Sequence, residues 1–97
     1  MTGQSRLQTT DIVSHAPGVT GRIVDGEAVL VHRMQGKVRV LNGVGARIWE
    51  LADGRRSLAA VADLIAGEYA VDLARAESDT VVFCTELVER GLLTLSG

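Results

Sequence analysis

Apolar and polar side chains alternate along Val38-Arg39-Val40-Leu41, with Val38 and Val40 on one side and Arg39 and Leu41 on the other. That is the period of a half-buried strand. The strand runs through Asn42 into a helix predicted over Val44–Ala52, where Ile48 and Leu51 make an apolar stripe with Trp49 beside it. Asn42 is suited to the N-cap, because its side-chain oxygen can accept an orphan N–H of the first turn. Gly54, after Asp53, supplies the left-handed residue that commonly ends a helix.

Upstream, Val19–Val24 alternates weakly and Asp25-Gly26 is a two-residue turn signal. Ala28–His32 is an almost continuous apolar run, as in a well-buried strand or a central one covered on both sides. Gln35-Gly36 makes the next turn before the strand Lys37–Leu41, and three short strands with two tight turns predict an antiparallel meander. One outer strand of such a sheet exposes unpaired N–H and C=O groups. Met1–Gly18 is polar with little periodicity and holds the only proline, Pro17, so residues 1–18 are read as a flexible or loosely docked arm. Its Ile12 and Val13 could dock on the body or on a second copy. The folded domain is placed at 19–97.

Downstream, Ser57 caps a second helix carrying Leu58, Val61, Ala62, Ile65 and Tyr69 at helical spacing, weakened near its end by Gly67. Asp72 caps a third, over about Leu73 to Arg90. Ala76, Thr80, Phe83, Cys84 and Leu87 form one stripe of it, Val81, Thr85 and Val88 a second, and Glu77, Asp79, Glu86 and Glu89 an acidic remainder. Gly91 ends that helix, and Leu92–Leu95 could add a strand or pack under the sheet. The order gives an α+β domain, helices on one face of a three-stranded antiparallel sheet, with the elements of a winged helix-turn-helix.

Ninety-seven residues suit one domain, and 46% hydrophobic content is enough to fold it. With one Trp, one Tyr and one Phe, the core must be mostly aliphatic. The single Cys84 has no internal partner, the first residues lack a signal peptide's apolar stretch, and no apolar run approaches the ~18 residues that span a bilayer. A cytoplasmic protein without membrane contact is expected.

A catalytic set is missing. His15 and His32 have no neighbours at metal-ligand spacing, and Cys84 lies in an apolar stripe with no basic group one turn away. The serines lack a nucleophile-elbow context, and Gly43-Val44-Gly45 lacks the lysine of a phosphate loop. Neither enzyme activity, metal nor cofactor is expected. A net charge of −2 and the acidic third helix disfavour nucleic acid, while Arg33, Lys37, Arg39, Arg55 and Arg56 gather elsewhere. The third helix has nearly two apolar stripes where one would cover the sheet. The surplus either completes the core against Leu92–Leu95 or lines a groove beside a free strand edge, with room for an extended peptide.

Val40-Leu41-Asn42, Gly45, Ile48, Leu51, Asp53-Gly54, Ser57-Leu58, Val61, Tyr69-Ala70-Val71-Asp72 and Leu87-Val88-Glu89-Arg90-Gly91-Leu92 together resemble the PqqD family. This is the small protein of pyrroloquinoline quinone (PQQ) biosynthesis and its relatives, the recognition elements of ribosomally made, post-translationally modified peptide pathways. The likeness spans roughly Ile23 to Leu95. After Asn42 the chain reads Gly-Val-Gly, where family members often carry a polar residue and then Thr-Gly or Ser-Gly.

The resemblance implies a winged helix-turn-helix that binds the leader of a precursor peptide by strand addition and presents it to a modifying enzyme, a radical-SAM protein or a leader protease. Stand-alone lasso-peptide recognition proteins share the pattern. Carried onto this chain, the backbone of Lys37, Val38, Arg39, Val40 and Leu41 would pair with the leader. Val81, Val82, Thr85 and Val88 would line the facing wall, with Phe83 and Leu87 in the core. The alternatives are a DNA-binding winged-helix regulator and a structural subunit that dimerises through its arm and edge strand.

Overall fold

The computed structural model describes residues 6–96. Along them run β1 (Val13–His15), β2 (Val19–Val24), β3 (Glu27–His32), β4 (Lys37–Leu41), α1 (Gly43–Leu51), α2 (Leu58–Tyr69), α3 (Leu73–Glu89) and β5 (Leu93–Leu95). The expected meander forms as an antiparallel sheet in the order β2-β3-β4. Asp25 and Gly26, at φ 53° and 79°, make the turn that lets Val24 pair with Glu27. Two consecutive positive φ angles match the right-handed twist of the flanking strands, and glycine takes the second at little cost.

The central strand β3 is covered on one face only. Ala28, Leu30 and His32 are buried against the helices, while Val29 and Val31 remain half-exposed on the far face. The apolar run that suggested cover on both sides is therefore a core face alternating with valines on an open one. Inward positions pair in register, Ala28 with Leu41 and Leu30 with Arg39 on one side, Leu30 with Gly21 on the other.

The helices fill the space above the inner face. Ala46, Ile48, Trp49 and Leu51 of α1 are buried, as are Leu58, Val61, Ala62 and Ile65 of α2 and Ala76, Thr80, Val81, Cys84 and Leu87 of α3. Tyr69, expected on the α2 stripe, is exposed. The Ser57 hydroxyl accepts the Ala60 N–H at 3.2 Å, and the Asp72 carboxylate accepts that of Arg75 at 3.3 Å, so both expected caps form. Asn42 occupies the N-cap position of α1, yet its side chain makes no cap hydrogen bond. The next residue, Gly43, turns with φ +37°, so α1 begins through an irregular first residue rather than a capped turn.

Residues 1–18 need correcting as an arm. Residues 1–5 lie outside the described residues, but from Leu7 onward the segment belongs to the fold. β1 pairs antiparallel with β5, Val13 opposite Leu95 and His15 opposite Leu93, and Val13 is fully buried. Backbone bonds from Leu58 N–H to Asp11 O (2.8 Å), Ala59 N–H to Thr9 O (2.9 Å) and Ser96 N–H to Ile12 O (2.8 Å) hold the approach. The His15 ring stacks on Trp49 with centroids 3.7 Å apart, and its Nε2–H donates to the Trp49 carbonyl at 2.8 Å. A polar segment is tied down here by backbone bonds and one valine. The C-terminal apolar run adds its strand to β1, not to the three-stranded sheet.

Candidate functional site

β4 is an edge. Its pairing is to β3 alone, and the backbone groups on its other side are unmatched within the described residues. Arg39 and Leu41 turn toward the helices, whereas Val38 and Val40 project outward at 64% and 54% exposure. An edge of this kind offers alternating N–H and C=O groups to an extended chain.

α3 runs past that edge, and two cavities lie along it, the first between α3 and β4 and the second between α3 and the start of α1. One, of about 550 Å³, is lined by His32, Gln35, Lys37, Val38, Arg39 and the α3 end from Val88 to Leu92. The other, of about 390 Å³, is lined by Asn42, Val44, Gly45, Ile48, Asp79, Val82, Phe83 and Glu86. Between them Arg39 Nη2 donates to Glu86 Oε2 at 2.9 Å, a tie from strand to helix. Glu86 Oε2 also accepts from Arg90 Nε at 3.0 Å. The hydrogen bond from Arg39, then that from Arg90, hold the Glu86 carboxyl below its ordinary range. The groove thus has a polar, cation-rich end and an apolar end, joined across one ion pair.

The expected wall residues divide. Val82, 48% exposed, lines the apolar end, and Val88 lines the polar end. Val81 is 9% exposed, belongs to the core and lines neither cavity. Thr85 also lines neither: its hydroxyl accepts the Leu7 N–H at 3.1 Å, on the side of the helix that meets the N-terminal segment. Val82 and Phe83 both face the groove, and Val81, a further step of about 100° back around the helix from Val82, falls on the core side. Phe83, expected in the core, is half-buried; its ring lies against Gly45, where an added Cβ would stand 3.2 Å from Cζ. Of the five strand residues, Lys37, Val38 and Arg39 line the polar end, Val40 points outward and Leu41 is buried, so Leu41 can contribute only its backbone. Val44 and Phe83 were not anticipated in the groove; the glycine opposite a phenylalanine was the available signal.

His32 and Thr80 each bury a polar atom, Nδ1 and Oγ1, with no hydrogen-bond partner among the described residues. Cys84 is buried, and desolvation pushes its thiol up to about 12, the state of an inert packing cysteine. No group of three or more His, Cys, Asp or Glu gathers among the described residues, and no helix there is long and apolar enough to cross a membrane.

The family model for coenzyme PQQ synthesis protein D matches residues 27–93, from the start of β3 into β5. Among curated proteins, two called PqqA binding protein, from Rhodopseudomonas palustris strains HaA2 and BisB5, are 33% identical over 58 residues. Those matches take in 60% of this chain and 57% of each relative, so the chain spans little more than half the length of the curated relatives it matches. Among solved structures, TbiB1 in complex with the TbiA(beta) leader peptide superposes with a TM-score of 0.77 at 32% identity, covering 82% of this chain and 93% of that one. A lasso peptide synthetase B1 complexed with the leader peptide gives the same TM-score at 28% identity, covering 84% of this chain and 96% of that one. With three helices packed on a three-stranded antiparallel sheet and a family match over most of its length, the chain belongs to the coenzyme PQQ synthesis protein D (PqqD) family.

Proposed function

We propose that this protein is a non-catalytic peptide chaperone: it binds the leader of a ribosomally synthesised precursor along β4 and presents it to a separate modifying enzyme. The observation that carries the reading is the free edge of β4 beside a groove walled by Val82, Phe83 and Val88 of α3. The leader adds as a further strand to Lys37–Leu41, its backbone bonds giving affinity and the groove reading alternate side chains. The leader complexes of the two solved relatives and the naming of the curated relatives as PqqA binding proteins support it. The pathway is of the PQQ or lasso-peptide type, the partner a radical-SAM protein or a leader protease, and the place of action the cytoplasm.

The test is fluorescence anisotropy of a labelled leader, taken from a short reading frame neighbouring the gene, at two salt concentrations. Saturable binding that survives the higher salt is expected, because strand addition releases few counterions compared with phosphate contacts. Val82→Glu places a carboxylate against the apolar end and beside Glu86, and should weaken binding at least about tenfold. Parent-like affinity of a folded Val82→Glu protein would refute the groove.

A further inference from the structure

The two ends of the groove differ in chemistry. At the polar end Lys37, Arg39 and Arg90 stand around a cavity of about 550 Å³ with His32 and Gln35, and Glu89 is the one carboxylate in its lining. Arg39 and Arg90 share the single carboxylate of Glu86, each through one nitrogen. A guanidinium carries five N–H donors, so this sharing leaves donors and positive charge in excess. The Lys37 ammonium has no hydrogen bond or ion pair among the described residues, its backbone alone being paired, to β3. At the apolar end Val44, Ile48, Val82 and Phe83 supply hydrocarbon.

We infer that the polar end is a subsite for an acidic side chain of the bound peptide, held by Lys37 with Arg39 and Arg90, while the other end takes a large apolar side chain. This rests on the reading of the groove as a leader-binding site and adds what that leader must carry. Val38 lines one end and Asn42 the other. A strand rising about 3.3 Å per residue therefore separates the acidic and apolar positions by about four residues. The tie from Arg39 to Glu86 lies between the two positions and fixes their spacing, because it holds strand and helix at one separation.

A display library of random linear peptides, selected against the full chain, tests this without knowledge of the natural leader. The enriched peptides should carry Asp or Glu at a fixed spacing of about four residues from a large apolar residue. Selection against Lys37→Glu should move the preference at that position toward Lys or Arg. The parent's winners should bind Lys37→Glu about fivefold more weakly, the upper end for one partly exposed ion pair, since the charge is reversed as well as lost. Replacing the acid of a winning peptide by Gln or Lys tests the same contact from the peptide side, whatever the variant does to the fold. Winners that lose binding on Val82→Glu but carry no acid, or ignore Lys37→Glu, would overturn the subsite and leave the groove standing. Winners indifferent to Val82→Glu, or a selection that enriches nothing, would overturn both.

Discussion

Gly21 lies in β2 opposite Leu30; its backbone is exposed, but the direction in which a side chain would project is closed by Trp49. A Cβ at this position would stand 2.6 Å from Trp49 Nε1, 3.0 Å from Trp49 Cε2 and 3.1 Å from Leu30 Cδ2. Ordinary contact begins at 3.4 Å, so the indole would have to retreat by about 0.8 Å. It has little freedom to do so: Trp49 is 3% exposed and its ring is stacked on His15. Overpacking against a buried ring costs about 1–3 kcal/mol. In a domain of this size each kcal/mol lowers the melting temperature by about 4–8 °C. Gly21→Ala should therefore melt well below the parent, with a changed signal from Trp49, the only tryptophan. Gly67, in α2, has nothing within 4 Å of its would-be Cβ and no positive φ, so Gly67→Ala should stabilise, by up to about 1 kcal/mol. Thermal melts followed by circular dichroism and tryptophan fluorescence decide both. A Gly21→Ala protein as stable as its parent would refute the packing of β2 on α1.

Ser57→Ala should cost about 1 kcal/mol in a urea titration, since it removes the cap on α2. Asn42→Ala should cost less, since that side chain caps nothing; equal losses would contradict the difference between the two helix starts. Cys84 should resist a thiol reagent at pH 8 in the folded protein and react once urea exposes it, its thiol being held at about 12 by burial; prompt labelling of the native state would place it elsewhere. The carboxyl of Glu86 has a lowered folded pKa, so its stabilising contribution is full above the ordinary carboxylate range and is lost as pH falls through the folded value. Titration by NMR should show Glu86 low in the parent and moved upward in Arg39→Gln; an unmoved titration would mean the ion pair across the groove does not form.

The regions of the fold legible in the sequence are those with local signals. The meander follows from alternation and from Asp25-Gly26, and α2 and α3 from a capping side chain followed by a 3.6-residue period. The pairing of β1 with β5 has no such signal. Each strand is three residues long, too short for a period, and the partners sit at opposite ends of the sequence. Val81 and Val82 are one residue apart and equally apolar, and which faces the core depends on how far α3 is rotated over the sheet. Thr85 could have joined either stripe, and the backbone N–H of Leu7 decided it. The candidate edge at Lys37–Leu41 was readable because it needed only the strand order. Its facing wall needed the rotation of a helix.

The antiparallel pairing of Val13 with Leu95 and His15 with Leu93 has a mechanical consequence. The chain enters β1 and leaves β5 at the same end of one short ladder. A pull applied between the two ends therefore loads the hydrogen bonds in series, as in a zipper, and not in parallel as in shear. Once the ties of Thr9 and Asp11 to the start of α2 have given way, the three paired positions separate in succession. Their opening uncovers Val13 and Leu93, both drawn from the core, while β4 keeps its own pairing to β3. A motor that pulls on this domain would thus unzip that seam one pair at a time, and a gentle tether would leave Val13 and Leu93 covered only while the seam holds.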